Sequence, residues 1–179
     1  MSFKIRYCNL KDLDKIYKLE KEFFKNEAAP PDSKETIKYI LKFGRILAYE
    51  ESFKIKGCIE IVPITKLRII SPPIGSLLEK VVKLDLEKYL SSSDAILIHG
   101  WIGNRTSSNI LYNRLLDDYK AQEWIGFVDP NNKKALDFYL SLENVKIIDQ
   151  IPKLYTKKDV HYVLKRFPNK IFENKEKHQ

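Results

Sequence analysis

Two side chains within apolar stretches of the chain could accept a proton from a reacting group. His99 interrupts the apolar run 95–102, and an imidazole with an ordinary pKa near 6.5 can act as a base at neutral pH. Glu60 lies in the β-rich run 55–64, and its carboxylate would need burial, or relay through water, to become equally basic. The alternative interpretations are a buried, hydrogen-bonded histidine and a carboxylate that faces water.

A second candidate site is the turn that follows the run 95–102, where Gly103 leads into a helix. A strand that runs directly into a helix presents unpaired amides at the positive end of the helix dipole, which suits a pyrophosphate. The turn contains neither GxGxxG nor GxxxxGK[ST], which argues against a dinucleotide fold and a phosphate-loop ATPase. An ordinary capped helix is the alternative. The predicted contacts are Trp101, Ile102, Asn104, Arg105, Thr106, Ser107, Ser108 and Asn109.

Composition limits the classes of protein to which the chain can belong. Hydrophobic residues make up 44%, which supports a folded core, and no run of 18 apolar residues exists that could span a membrane. The net charge of +8 favours acidic partners, but the lysines are scattered among acids, so no specific nucleic-acid binding is predicted. Cys8 and Cys58 form neither a CxxC pair nor a disulfide framework. We therefore expect no metal site and a cytoplasmic protein.

Hydrophobic periodicity predicts an α/β domain with a mixed sheet over residues 3–167, followed by a polar tail over 168–179. The predicted order of elements is βααββ-α-βαβαββ. Helices are expected after Asn9 and Ser33, over 76–90, and after Ser108 and Asn132. Strands are expected at 3–7, 46–50, 55–64, 95–102, 123–128, 144–151 and 160–167.

Four segments, in this order, resemble the GNAT N-acetyltransferase superfamily over roughly residues 3–167, and the last of them, residues 155–165, is similar to the final strand pair of the family. The first is the opening 5–16, which is similar to the family pattern I-R-x-a-x-x-x-D-x-x-x-I. The second is the hairpin strand that contains Gly57. The most specific is the helix in which Asn132, Ala135 and Tyr139 match N-x-x-A-x-x-x-Y. The chain departs from the family at Ser108 and Ile110, where the acetyl-CoA motif has glycines, and in the extra helix 76–90.

The resemblance implies a mostly antiparallel sheet flanked by helices and an acetyl transfer from acetyl-CoA to a primary amine. The acceptor would be a small molecule or a protein, and the enzyme a monomer or homodimer. By the same resemblance Tyr139 protonates the departing thiolate, and Asn132 contacts the cofactor. The base would be His99 or Glu60. The alternative is a non-catalytic GNAT-fold module that binds an acyl-CoA or a protein partner.

Overall fold

The computed structural model describes residues 2–26, 30–119, 122–154 and 159–168 of the 179-residue chain. Most of the predicted polar tail, residues 169–179, lies outside the described residues. Within the described part, seven strands form one sheet and six helices flank it. The strands are β1 (Phe3–Tyr7), β2 (Arg45–Glu51), β3 (Lys54–Pro63), β4 (Ile96–Ile102), β5 (Trp124–Val128), β6 (Val145–Pro152) and β7 (Val160–Arg166). The helices are α1 (Leu13–Phe23), α2 (Lys34–Phe43), α3 (Ile64–Ile69), α4 (Leu77–Val82), α5 (Arg105–Tyr119) and α6 (Lys133–Leu140).

The strand order across the sheet is β1-β2-β3-β4-β5-β7-β6. Only β4 and β5 run parallel among these neighbours, and α5 connects them as a crossover helix must. All other neighbouring pairs are antiparallel. The predicted mixed, mostly antiparallel sheet is therefore confirmed.

The connection between β3 and β4 differs from the prediction. Instead of one helix over 76–90, the chain forms the short helices α3 and α4 and then a single 3-10 turn at Glu87–Tyr89. The Ser76 side chain caps α4 by accepting the amide of Glu79, as predicted. A continued helix would place Asp85, four residues after Val81, on the buried stripe. The chain turns there instead and buries Leu86.

The start of the fold is fixed by polar contacts between β1 and the turn before α1. Asn9 and Asp12 form a reciprocal capping box. The guanidinium of Arg6 donates two hydrogen bonds of 2.8 Å to Asp12 and one of 2.9 Å to Glu50 on β2. The arginine and aspartate of the family-like opening therefore tie the first strand to the first helix.

The sheet divides the core into two layers. Helices α1 to α4 cover one face, where Ile16, Ile37 and Val62 are fully buried. Helix α5 packs on the other face, where Leu111 and Ile59 are buried and α6 contributes partly buried side chains. Every described helix is too short or too polar to cross a lipid bilayer.

Candidate active site

A cavity opens where the two parallel strands separate. The β4–β5 ladder contains three pairs and ends at Ile98 opposite Gly126. Beyond that pair no described ladder contact joins the strands, and a cavity of about 930 Å³ lies between and around their C-terminal ends. Residues from both faces of the sheet line it, because the gap leads from one face to the other.

A β-bulge in β4 decides which side chains reach each face of the cavity. Glu60 of β3 pairs with Gly100, but the next residue, Ile61, pairs with Ile98, so His99 is an extra residue. Regular alternation along β4 would place His99 and Trp101 on one face, and this expectation from the sequence is wrong, because the two-residue period holds only along a regular strand. His99 contacts Asp32 on the α1–α2 side, whereas Trp101 packs with residues of α5 and α6.

On the α1–α2 side, four ionisable side chains form what we call the acidic cluster: Glu20, Asp32, Glu60 and His99. His99 Nε2 lies 2.6 Å from Asp32 Oδ2 and 4.0 Å from Glu60 Oε2. Glu20 Oε2 accepts the backbone amide of Asp32 at 2.7 Å. The side chains of His99 and Glu60 are 3% and 2% exposed, so the alternative of a water-facing Glu60 is wrong.

Burial and mutual repulsion change the pKa values of this cluster. Burial raises the pKa of Glu60 well above its ordinary value, and the charges of Glu20 and Asp32 raise it further. Burial also raises the pKa of Glu20. Burial lowers the pKa of His99, but the charge and hydrogen bond of Asp32 outweigh it, so the pKa is raised. Glu20, Glu60 and His99 are therefore stronger bases than in water, provided that each has lost its proton.

Glycine at position 100 makes room for the acidic cluster. A Cβ atom at Gly100 would lie 2.7 Å from Glu60 Oε2, closer than packed atoms tolerate. Glu60 Oε1 and Glu20 Oε1 are buried and accept no hydrogen bond from a described N–H donor, but the two side chains are hydrogen-bonded to each other, which requires one shared proton. Two buried carboxyl groups that hold one proton between them are suited to exchange it for a cationic group that enters the cavity.

Asp32, Glu60 and His99 are also residue types that bind metals, and their side-chain ligand atoms lie within 4.8 Å of one another. Two ligands of one Zn²⁺ ion are about 3.3 Å apart in tetrahedral geometry. His99 Nε2 and Asp32 Oδ2 are closer than this because they are hydrogen-bonded to each other. We assign no metal to the cluster.

On the α5–α6 side, the cavity has an aromatic wall formed by Trp101, Phe138 and Tyr139. The Trp101 ring lies 5.1 Å from that of Phe138 and 5.5 Å from that of Tyr139, edge to face in both cases. Burial raises the pKa of the Tyr139 hydroxyl, which stays protonated at neutral pH. Trp101 Nε1 is buried and has no described partner, so this wall offers an unused donor.

The turn into α5 is built by its own side chains. Asn104 caps the helix by accepting the Ser107 amide at 2.9 Å, and the Ser108 amide donates to the Asn104 carbonyl. The amides of Arg105 and Thr106 precede this first intrahelical bond and have no partner within the described chain. A Cβ atom at Gly103 would lie 2.6 Å from Ser107 Oγ, so the tight turn requires glycine.

Most of the predicted site residues line the cavity, but three of them do not. The cavity is lined by Glu60, His99, Trp101, Ile102, Asn104, Arg105, Ser108, Asn132 and Tyr139. Thr106, Ser107 and Asn109 are not among the lining residues. Ser107 is buried beneath Gly57 on β3, and the other two side chains are exposed. Ile110, in a family glycine position, does not line the cavity either. The Asn132 side chain accepts the Ala135 amide and caps α6.

Sequence reasoning missed Glu20 and Asp32. In the sequence, Asp32 stands directly before Ser33, the cap of α2, and nothing in that short pattern indicates a role at the site. Glu20 stands among alternating lysines and acids, but it follows Ile16 by four residues and therefore lies on the buried stripe of α1. A carboxylate within an apolar stripe was the signal that could have identified it. The two cysteines fit the expectation of inert thiols, since burial raises the pKa of Cys8 to about 12 and that of Cys58 as well.

No family model and no curated protein sequence matches the chain. Solved structures match it closely in fold. Ard1 from Thermoplasma volcanium superposes with a TM-score of 0.67 at 13% identity, covering 94% of this chain and 99% of that one.

Two further solved structures match over a similar length. The ribosomal-protein-S18-alanine N-acetyltransferase from Escherichia coli gives a TM-score of 0.64 at 13% identity, with 92% of this chain and 93% of that one covered. A putative acetyltransferase from Salmonella typhimurium, solved with its cofactor acetyl-CoA, gives 0.64 at 12% identity over the same shares. At these identities the likeness concerns the fold.

Proposed function

We propose that this chain, which has the fold of the GNAT acetyltransferases, transfers an acetyl group from acetyl-CoA to a primary amine. The observation that carries the proposal is the cavity between the separated ends of β4 and β5. It joins a wall with a protonated tyrosine hydroxyl to a wall with a histidine and three carboxyl groups. An acyl transfer from a thioester to an amine needs a base that takes the proton of the amine, and an acid that protonates the departing thiolate assists it.

The residues around the aromatic wall fit a CoA ester. The amides of Arg105 and Thr106, together with the exposed Arg105 guanidinium, provide donors for a pyrophosphate at the N-terminus of α5. Trp101 Nε1 is an orphaned donor within the gap. When bound, acetyl-CoA supplies the thioester whose acyl group is transferred. Of the predicted contacts, Ser107 has its amide occupied by Asn104, so the first two amides of α5 carry this role.

The acidic cluster is suited to receive an ammonium and remove its proton. With its proton on Nε2, His99 donates to Asp32, and Nδ1 remains as the acceptor. No described residue hydrogen-bonds Nδ1. Glu60, which is 4.0 Å from Nε2, is the alternative base, because burial gives its carboxylate the basicity that it lacks in water. On the opposite wall, the Tyr139 hydroxyl would protonate the thiolate that leaves.

Titration calorimetry with acetyl-CoA, followed by mass spectrometry of a mixture of primary amines, tests the proposal. Acetyl-CoA is expected to bind at micromolar concentration, and at least one amine should gain 42 Da in the presence of the protein. A protein that binds acetyl-CoA without acetylating any amine would be the non-catalytic module. No binding at millimolar acetyl-CoA would remove the cofactor as well.

A further inference from the structure

We propose that the acceptor is a primary ammonium group attached to an apolar body, such as an arylalkylamine or a peptide whose first side chain is large and apolar. This inference rests on the proposed function and concerns the same cavity. Two features support it: the floor of the cavity is charged, and the opening of the cavity on the α1–α4 side of the sheet is apolar.

On the α1–α2 side of the cavity, where the acceptor would bind, the floor has the negative charge needed to bind one cation. Glu20 and Glu60 are 2% and 1% exposed, and their carboxyl groups are hydrogen-bonded to each other through one shared proton. Asp32 is already hydrogen-bonded to His99. One ammonium inserted between Glu20 and Glu60 would replace the shared proton and pair with both carboxylates, and the cost of burying these carboxylates falls when a cation pairs with them.

The rim around this floor is apolar. Phe23 and Phe24 at the end of α1 lie 5.2 Å apart edge to face, and Pro31 follows them along the chain. Ile74 and Leu77 approach from the connection between α3 and α4. Phe23 is 40% exposed and Ile74 is 96% exposed, so both present apolar surface to whatever enters the cavity.

The segment that carries Ile74 is held in place from both sides. The Tyr39 hydroxyl donates to the Ile70 carbonyl at 2.6 Å, and the Gly75 amide donates to Glu79 at 2.6 Å. An exposed isoleucine on an anchored segment at a cavity mouth is positioned to contact a ligand. An amine whose body is a sugar or a second ammonium would place polar groups against this rim and lose their hydration.

The test compares acceptors that carry the same ammonium on different bodies. In the presence of acetyl-CoA we expect 2-phenylethylamine to have a kcat/KM at least roughly 10-fold above ethanolamine, putrescine and glucosamine, as burial of a phenyl group predicts. A tetrapeptide that begins with Phe, compared with one that begins with Ser, distinguishes a peptide source from a small-molecule source. Equal values for all acceptors, or a preference for putrescine or glucosamine, would overturn the inference.

The variants Ile74→Ser and Ile69→Ser form a matched pair. Both isoleucines are exposed, Ile69 at the end of α3 and Ile74 in the connection that follows it, but only Ile74 lines the cavity. Ile74→Ser should raise the KM for the apolar amine roughly 3- to 10-fold with kcat unchanged, because it removes contacts equal in the ground and transition states. Ile69→Ser should match the wild type. An unchanged KM in Ile74→Ser would contradict the assigned rim.

Calorimetry of the same amines with the CoA-bound protein separates this inference from the proposed function. Tighter binding of 2-phenylethylamine than of ethanolamine, without any acetylation, would support the acceptor class while contradicting the catalytic proposal. Acetylation of both amines, with equal affinity for the two, would support the catalytic proposal and contradict the acceptor class.

Discussion

The two walls of the cavity differ in chemistry although strand β4 contributes one side chain to each, His99 to one and Trp101 to the other. On the α1–α2 side, Glu20, Asp32, Glu60 and His99 place titratable groups in a buried environment. On the α5–α6 side, three aromatic rings present one hydroxyl and one indole N–H. One sheet can therefore keep a base and an acid apart by directing them to opposite faces, so that neither neutralises the other before a substrate arrives.

Removing the imidazole of His99 from the acidic wall should have the largest effect on catalysis. His99→Gln is expected to lower kcat/KM roughly 10²-fold or more, which is the lower end of the effect of a general base. Because Asp32 raises the pKa of His99, the acidic limb of the wild-type pH profile should lie above pH 6.5, and it should vanish in the variant.

Two further variants test that assignment. His161→Gln changes the other histidine that lines the cavity, and the acidic limb should persist there. If the limb persists in His99→Gln but disappears in Glu60→Gln, Glu60 is the base. If it persists in both, neither side chain is the base.

Changing the aromatic wall should have a smaller effect on catalysis. Tyr139→Phe is expected to lower kcat roughly 10-fold with an unchanged dissociation constant for acetyl-CoA, since a thiolate is a good leaving group even without an acid. Tyr112→Phe is the matched control. Tyr112 also packs against Trp101, at 6.0 Å, but its hydroxyl points to the Glu143 carbonyl and it does not line the cavity. Equal kcat values in the two variants would remove Tyr139 from the mechanism.

The acidic cluster should also make the stability of the protein depend on pH, which the aromatic wall should not. Burial raises the pKa of Glu20 above its ordinary 4.5, so its contribution to stability is complete below pH 4.5 and is lost as the pH rises through the folded-state pKa. Urea unfolding should show that the free energy of unfolding of the wild type falls by roughly 1–3 kcal/mol more than that of Glu20→Gln between pH 4.5 and 8.5, because the wild type must then bury a charged carboxylate beside Glu60.

The control for this measurement is Glu22→Gln on the same helix. Glu22 is exposed and makes one long contact of 4.0 Å with Lys18, so its removal should leave the pH dependence of the wild type unchanged. A Glu20→Gln variant that follows the wild-type curve would show that burial of this carboxylate is compensated.

A variant at the cofactor side of the cavity should have the smallest effect, and it tests whether the two sides bind their ligands independently. Arg105→Ala should weaken acetyl-CoA binding roughly 3- to 10-fold in calorimetry, because an exposed guanidinium contributes modestly to phosphate binding. Amine binding to the CoA-free protein should not change. Weakened amine binding in this variant would mean that the two sides are not independent.

Local signals in the sequence were sufficient for most of the fold. The caps at Asn9, Ser76 and Asn132 and the stop at Gly44 lie where local hydrogen bonding places them, so they could be predicted from short patterns. The helix predicted over 76–90 failed because Asp85 interrupts its apolar stripe, a detail that a count of apolar residues does not weigh.

The acidic cluster could be predicted only in part. His99 and Glu60 stood out because polar residues interrupt apolar runs, whereas Asp32 approaches from a loop 67 residues away in sequence. The faces of β4 could not be assigned, since a bulge depends on the register with β3, which the β4 sequence alone does not contain.

The extra residue in β4 also limits how this strand can vary among related proteins. A chain without the extra residue would keep regular alternation, and the residue aligned with Trp101 would then point toward the opposite layer of helices. Such a chain could keep an imidazole over Asp32 and an indole over Phe138 only by moving one of them by one position. Positions 99 and 101 are therefore comparable between proteins only when an alignment gap is placed at the bulge.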